Sequence, residues 1–376
     1  MSRWRKLAVA NSTFDFESFC DDLGPEKIVH VSDPESGLRG IVVIDNTASG
    51  PAIGGVRMAA DVTVDEVFRL ARAMTLKNAA AGLPHGGGKA GIVADPKTAN
   101  RKRLVRAFAR AIRELGDYIP GPDMGTDETC MAWIHAEIHR SVGLPRVVGG
   151  IPLDEIGATG YGLAQCAETA ARFAGLKLRG ATLAIEGFGN VGRPAAIFLK
   201  EQGVKLVAAS DTRGTIYDPD GIDPEELAKT KKRNGTVIEH PRGKKLPMAD
   251  LLTLPCDILI PAARPDCINA SNVADIKAKL ILQGANIPAT AEAEAILYQR
   301  GVVVVPDFIA NAGGVICASV EYHGGTEASV FETIAHRIRS NTQVVLDRSK
   351  ETGVEPRRAA IDLAAERVRQ AMSFRN

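Results

Sequence analysis

Residues 181–192 read Ala-Thr-Leu-Ala-Ile-Glu-Gly-Phe-Gly-Asn-Val-Gly, an apolar run that ends in three glycines spaced G-x-G-x-x-G. A helical pattern over 194–202 follows directly, so the segment predicts strand, tight turn and helix. In that setting the first glycine permits the turn, the second lets a pyrophosphate approach the backbone, and the third lets helix pack on strand. The helix N-terminus then offers partial positive charge to phosphate. Further short buried strands are predicted at 205–210, 257–260, 280–282 and 302–305, with a helix over 290–300 between two of them. This alternation specifies an α/β fold with a Rossmann-like, doubly wound parallel sheet. Gly187, Phe188, Gly189, Asn190, Val191 and Gly192 are its cofactor-binding turn. Asp211 closes the next strand, with Thr212 after it. There a carboxylate accepts hydrogen bonds from the adenine ribose and repels a 2′-phosphate, which favours NAD. Arg213 offsets that repulsion, so NADP is not excluded.

With 376 residues the chain is long enough for two domains. The earlier part carries a strand over 40–45 and a capping box, Thr63-Val64-Asp65-Glu66, in which hydroxyl and carboxylate each satisfy an end amide. The helix it opens places Val67, Leu70, Ala71 and Met74 on one stripe, and Lys77 falls on that stripe. Lys89 follows Gly86-Gly87-Gly88. Two inward lysines make a cationic pocket, where desolvation and mutual repulsion ease proton loss and fit one of them to act as a base. A second helix is predicted over 101–115, ending at Gly116. Gly and Pro cluster at 143–152, read as a hinge. The tail from 329 is helical and is split by Gly353 and Pro356. The expected domains are a substrate-binding and oligomerisation domain over 1–145, joined by the C-terminal helices of 335–376, and a dinucleotide-binding domain over 150–330.

Apolar residues make up 45% and charged residues 24%, and 46 Lys plus Arg balance 45 Asp plus Glu, so neither nucleic acid nor an anionic membrane is expected as partner. Six cysteines without C-x-x-C spacing indicate reduced thiols in a cytoplasmic protein. The basic start, Met1-Ser2-Arg3-Trp4-Arg5-Lys6, precedes too short an apolar patch for a signal peptide. His135 and His139 flank Glu137 in the order His-x-Glu-x-His, not the zinc-hydrolase order, and no metal is expected. The basic run Lys229, Lys231, Lys232, Arg233 reads as a solvated loop.

Several segments together resemble a family, the dehydrogenases of glutamate, leucine, phenylalanine and valine. They are Gly54-Gly55-Val56-Arg57-Met58, Met74-Thr75-Leu76-Lys77-Asn78-Ala79, Gly86-Gly87-Gly88-Lys89, Pro122-Asp123-Met124-Gly125-Thr126, Ala158-Thr159-Gly160-Tyr161-Gly162, the dinucleotide turn, and Pro306-Asp307-Phe308-Ile309-Ala310-Asn311-Ala312-Gly313-Gly314-Val315. The resemblance implies NAD(P)-dependent reversible deamination of an L-amino acid to a 2-oxo acid and ammonia, in a homo-oligomer. Lys77 aligns with the lysine that binds the substrate α-carboxylate, helped by Gly54. Lys89 aligns with the lysine that activates water, and Asp123 with the aspartate that exchanges protons with the amino group. Thr159 and Asn311 correspond to residues near the nicotinamide carboxamide and the substrate, and Ala262 and Asn286 to further cofactor contacts.

Glutamate-specific members hold the side-chain carboxylate with a lysine and a serine at the positions of Ile53 and Ala318. An apolar pair there leaves a second carboxylate unpaired, so the pocket resembles the leucine, valine and phenylalanine type. Residues 211–223 and Ala158-Thr159-Gly160 resemble the glutamate enzymes instead. Glutamate recognised by other residues, and a catalytically silent NAD-binding regulator, remain the alternatives. Arg264, where an apolar residue is expected, has no assigned role, and neither has His85.

Overall fold

The computed structural model describes residues 17–375, and the basic start at 1–6 lies outside them. The first layer contains β1 (Lys27–Asp33), β2 (Leu38–Asn46), β3 (Ala52–Ala59), α1 (Val64–Ala80), β4 (Gly86–Val93), α2 (Arg101–Ala111), β5 (Tyr118–Pro122) and α3 (Glu128–Ile138). Its sheet runs β1-β2-β4-β3-β5, antiparallel through β1, β2 and β4 and parallel from β4 to β3 to β5. β4 is thus central, which explains why Gly-Gly-Gly-Lys-Ala-Gly-Ile is buried throughout. One face packs on α2 and α3 through Val42, Val56, Met58, Phe108 and Met131.

α1 lies on the opposite face, pressed against β4. A methyl group at Gly87 would stand 2.0 Å from the amide nitrogen of Thr75, so glycine here permits contact between helix and strand backbones. The capping box forms by half. The Thr63 hydroxyl accepts from the Glu66 amide, while the Glu66 carboxylate turns to Arg57, a full opposite charge. α2 stops at Ala111, earlier than expected, because Arg140 reaches in and takes the carbonyls of Ile112 and Leu115 at 3.1 and 3.0 Å.

The second layer holds α4 (Ala158–Ala170), β6 (Thr182–Glu186), α5 (Gly192–Glu201), β7 (Lys205–Asp211), β8 (Gly214–Tyr217), α6 (Pro224–Asn234), β9 (Lys244–Leu246), β10 (Ile258–Pro261), β11 (Leu280–Leu282), α7 (Ala291–Gln299), β12 (Val303–Val305), α8 (Asp307–Ala310), α9 (Gly313–Tyr322), α10 (Glu327–Thr352) and α11 (Pro356–Ser373). Its sheet order is β12-β11-β10-β6-β7-β8-β9. Strands β12 through β7 are parallel, as expected from strand–helix alternation. β8 and β9 are antiparallel additions, because the chain turns back at Thr212 and Arg213 instead of crossing over. The basic run expected as a loop lies in α6, with Lys231, Lys232 and Arg233 in its last turn, where their charges face the helix carbonyl end.

Residues 143–152 are pinned rather than free. The Glu321 carboxylate of α9 accepts from the amides of Leu144 and Ile151 at 3.1 and 3.3 Å. The C-terminal pair touches both layers, α10 packing on α4 and α11 on α1. Arg337 and Arg367 cap the end of α1, Arg337 reaching the Ala81 carbonyl at 3.1 Å and Arg367 the Ala80 carbonyl at 2.7 Å.

Candidate active site

Each glycine of the dinucleotide turn has its own steric reason. Gly187 has φ +92°, and a methyl there would meet the Ala263 Cβ at 2.6 Å; at Gly192 it would meet the Gly187 carbonyl at 2.2 Å. At Gly189 it would meet nothing within 4 Å, so this backbone faces open space. That is the cradle a pyrophosphate needs, and the residues fit a dinucleotide. Phe188 buries its ring in the core, so only its backbone faces the turn. Val191 starts α5, and Asn190 donates to Asp154 at 3.1 Å. The Ala262 amide bonds the Glu186 carbonyl at 2.7 Å, which puts the end of β10 beside the end of β6.

Asp211 already has protein partners. Its carboxylate accepts from the Arg213 amide at 2.9 Å, the Thr236 hydroxyl at 3.0 Å and the Val237 amide at 2.8 Å, and its side chain is 7% exposed. The acid expected to hold ribose hydroxyls also ties the chain after α6 to the sheet. Thr212 is exposed in the turn beside it. Lys231 lies 3.8 Å from Asp211 and donates to the Phe188 carbonyl at 2.8 Å, which brings a cation to the crevice.

The ammonium pocket lies where α1, β3, β4 and β5 face α8. Lys89 is 6% exposed and its Nζ stands 3.1 Å from Asp123 Oδ2. Arg57 donates to the same oxygen at 3.0 Å. Burial pulls the Lys89 ammonium below the usual lysine range, Arg57 adds to this, and Asp123 opposes it. Burial by itself would raise the Asp123 carboxyl, but Lys89 and Arg57 hold it below its ordinary value. Gly55 leaves room for this cluster, since a methyl there would sit 2.7 Å from the Asp123 Cβ and 3.2 Å from Lys89 Nζ. The Gly54 carbonyl is held by the Tyr118 hydroxyl at 2.8 Å.

Lys77 crosses the crevice and donates to Asn311 Oδ1 at 2.6 Å. Its ammonium is brought down to about 8, by burial first and by Lys89 second, against the pull of Asp307. The Asn311 amide donates to the Gly284 carbonyl and to Asn286 Oδ1, both at 3.2 Å, linking Lys77 to the loop after β11. Thr159, in the first turn of α4, lies against Gly314 of α9. The two positions expected at the far end of the pocket, Ile53 and Ala318, are apolar and packed together. Ile53, Ile119, Val142 and Ala318 form their own buried cluster.

Two family models cover the chain. Residues 25–140 match the Glu/Leu/Phe/Val dehydrogenase dimerisation domain, and residues 149–376 match the Glutamate/Leucine/Phenylalanine/Valine dehydrogenase domain. The chain belongs to this dehydrogenase family. It is an NAD(P)-dependent oxidoreductase acting on the CH–NH2 group of amino acids. A glutamate dehydrogenase from Aeropyrum pernix is 42% identical over 357 residues, 88% of this chain and 85% of the relative. Among solved structures, the hetero-hexameric glutamate dehydrogenase from Thermus thermophilus, in a leucine-bound form, matches with TM-score 0.82 at 30% identity, covering 94% of this chain and 90% of that one. The L-tryptophan dehydrogenase from Nostoc punctiforme matches with TM-score 0.73 at 28% identity, covering 93% and 98%.

For a member of this dehydrogenase family, sequence reasoning missed several parts of the site. Arg57 stood inside a quoted segment without a role, although an arginine amid glycines and apolar residues invited one. Ile119 and Val142 carried no signal, since their place beside Ile53 depends on β5 lying beside β3. The histidine pair is no metal site: His139 ends α3 in a left-handed conformation, and Glu137 is taken by Arg106 and Arg110. Among the described residues no cluster of three or more His, Cys, Asp or Glu could hold a metal, and no helix is long and apolar enough to cross a membrane. His85 is buried against the Pro51 carbonyl, and burial lowers it to about 4, so it adds no charge to the pocket.

Proposed function

We propose that the chain deaminates an L-amino acid with an apolar side chain, reversibly, to its 2-oxo acid and ammonia. Four groups carry the chemistry. Lys77 pairs with the substrate α-carboxylate, exchanging the neutral amide oxygen of Asn311 for an anionic acceptor. Asp123 takes a proton from the substrate amine. Lys89, with its pKa lowered by burial, removes a proton from the water that attacks the imine carbon. Asp123 then returns a proton to the departing amine. The bound dinucleotide supplies the hydride acceptor.

The apolar quartet of Ile53, Ile119, Val142 and Ala318 carries the substrate assignment. A side-chain carboxylate against it would lose its water without gaining a partner, at a cost of several (~3–5) kcal/mol. A second reading, glutamate, is the one the relatives favour, since those from Aeropyrum pernix, Thermotoga maritima and Saccharolobus shibatae are all named glutamate dehydrogenases. Initial rates on leucine, valine, phenylalanine, tryptophan and glutamate separate the two. The expected order puts an apolar amino acid first, and a clear glutamate preference overturns the assignment. Buried Cys130, Cys166, Cys256 and Cys317 suit a reducing cytoplasm, and the dimerisation-domain match supports assembly as a homo-oligomer.

A further inference from the structure

Glu186 closes β6 immediately before the dinucleotide turn, and its side chain is 1% exposed. One carboxylate oxygen accepts from the Ala263 amide at 3.0 Å, the other from Arg264 Nε at 3.1 Å. A buried carboxylate under a pyrophosphate site works against the ligand it is meant to hold. Arg264 answers that charge, yet it is poorly placed for a purely structural counter-ion, because its side chain is 49% exposed. Among the described residues its ion pair uses Nε alone, so the Nη nitrogens are left towards solvent.

The position is specific. The chain leaves β6 for β7 on one side and returns to β10 on the other, so the gap between β6 and β10 is the topological switch point where open α/β sheets bind ligands. Ala263 touches Gly187 across this gap, and Arg264 is the next residue. The loop carrying it is braced: Asp266, at φ +49°, donates its amide to the carbonyl of Ile287, at φ +47°, over 2.9 Å. Two non-glycine residues in the left-handed region, bonded to each other at one rim, mark a loop held in a set shape.

We propose that Arg264 is a phosphate-binding residue of the cofactor crevice, oriented by Glu186 so that its Nη nitrogens meet the dinucleotide pyrophosphate. Glu186 is the positioning residue: it fixes the guanidinium plane through Nε and leaves the fork free. This explains why an arginine stands where an apolar residue is expected, and why its partner is an acid beneath the turn. The assignment concerns the cofactor alone and does not depend on which amino acid is deaminated.

The test uses the full chain and titrates NADH, ADP-ribose and adenosine into the protein, Arg264→Gln, Glu186→Gln and the double variant. Loss of a charge-assisted pair raises Kd for NADH and ADP-ribose by about tenfold or more in Arg264→Gln, with adenosine unchanged. The double variant is decisive, because it removes the buried charge together with its partner and so avoids an unpaired carboxylate. If Arg264 binds phosphate, the double variant stays weak for NADH. Return of the double variant to native affinity makes Arg264 a mere counter-ion and overturns the proposal. Equal weakening of adenosine, which has no phosphate, overturns it as well.

Discussion

Lys77 and Lys89 are both lysines in one pocket, but their surroundings set them to opposite tasks. Lys89 shares Asp123 with Arg57 and is held where losing its proton is easy. In the proposed reaction Lys77 must keep its proton to hold a carboxylate, yet burial brings it to about 8. The folded state therefore binds that proton less tightly than the unfolded chain. Its cost to stability is fully present below about 8 and is relieved as pH rises from there towards the ordinary lysine value. Activity runs the other way. With a 2-oxo acid as substrate, which has no amine to titrate, kcat/KM should fall above a pH of about 8 as Lys77 becomes neutral. The pH–rate profile checks this, and Lys77→Arg, which does not titrate in that range, should lose the limb. A native profile that stays flat to well above 9, roughly a unit beyond that value, contradicts the assignment.

At the scale of elements, what could be read from the sequence depended on whether partners were local. β6, β7, β10, β11 and β12 were legible because buried parallel strands are short apolar runs, and α5 and α7 because helical spacing follows each run. The dinucleotide turn was legible because glycine spacing is itself the mechanism. The further partners of Asp211 were not legible because a strand-end acid looks the same whether or not it meets an adjoining segment, and Thr236 and Val237 come from beyond α6. Lys231 was read as solvated for the same reason, since only the packing of α6 against the sheet shows where it points. With Asp211 engaged and Lys231 beside the turn, the adenosine end of the crevice carries more positive character than its acid suggests. Lys231→Ala should therefore weaken NADPH binding about tenfold while changing NADH by about twofold or less. Parallel fluorescence titrations with the two dinucleotides check the difference; equal losses would place Lys231 in the fold alone.

In the whole molecule, the first layer supplies Lys77, Lys89 and Asp123 while the second supplies Asn311 and the cofactor turn, so catalysis needs the two held in register. The Lys77–Asn311 bond spans the crevice, and in the proposed reaction substrate displaces it. Register cannot rest on that bond alone. It is supplied from behind, where α11 packs on α1 and Arg367 donates to the carbonyls of Ala79 and Ala80 at 3.1 and 2.7 Å. These are among the last carbonyls of the helix that bears Lys77; Ala79 also accepts from the Gly82 amide at 2.9 Å, while Ala80 relies on the arginine. The same arginine holds Asn341 of α10 at 3.1 Å, so one side chain ties α1 to both C-terminal helices. Removing it leaves the Ala80 carbonyl without its partner, at a cost of about 1–3 kcal/mol. Arg367→Ala should lower the denaturation midpoint accordingly and raise KM for the amino acid several-fold, because the end of α1 loosens one turn from Lys77. Binding of NADH, which uses the other layer, should hardly change. Measured together, a lower midpoint with unchanged KM would show that Lys77 is positioned by the sheet rather than by the helices behind it.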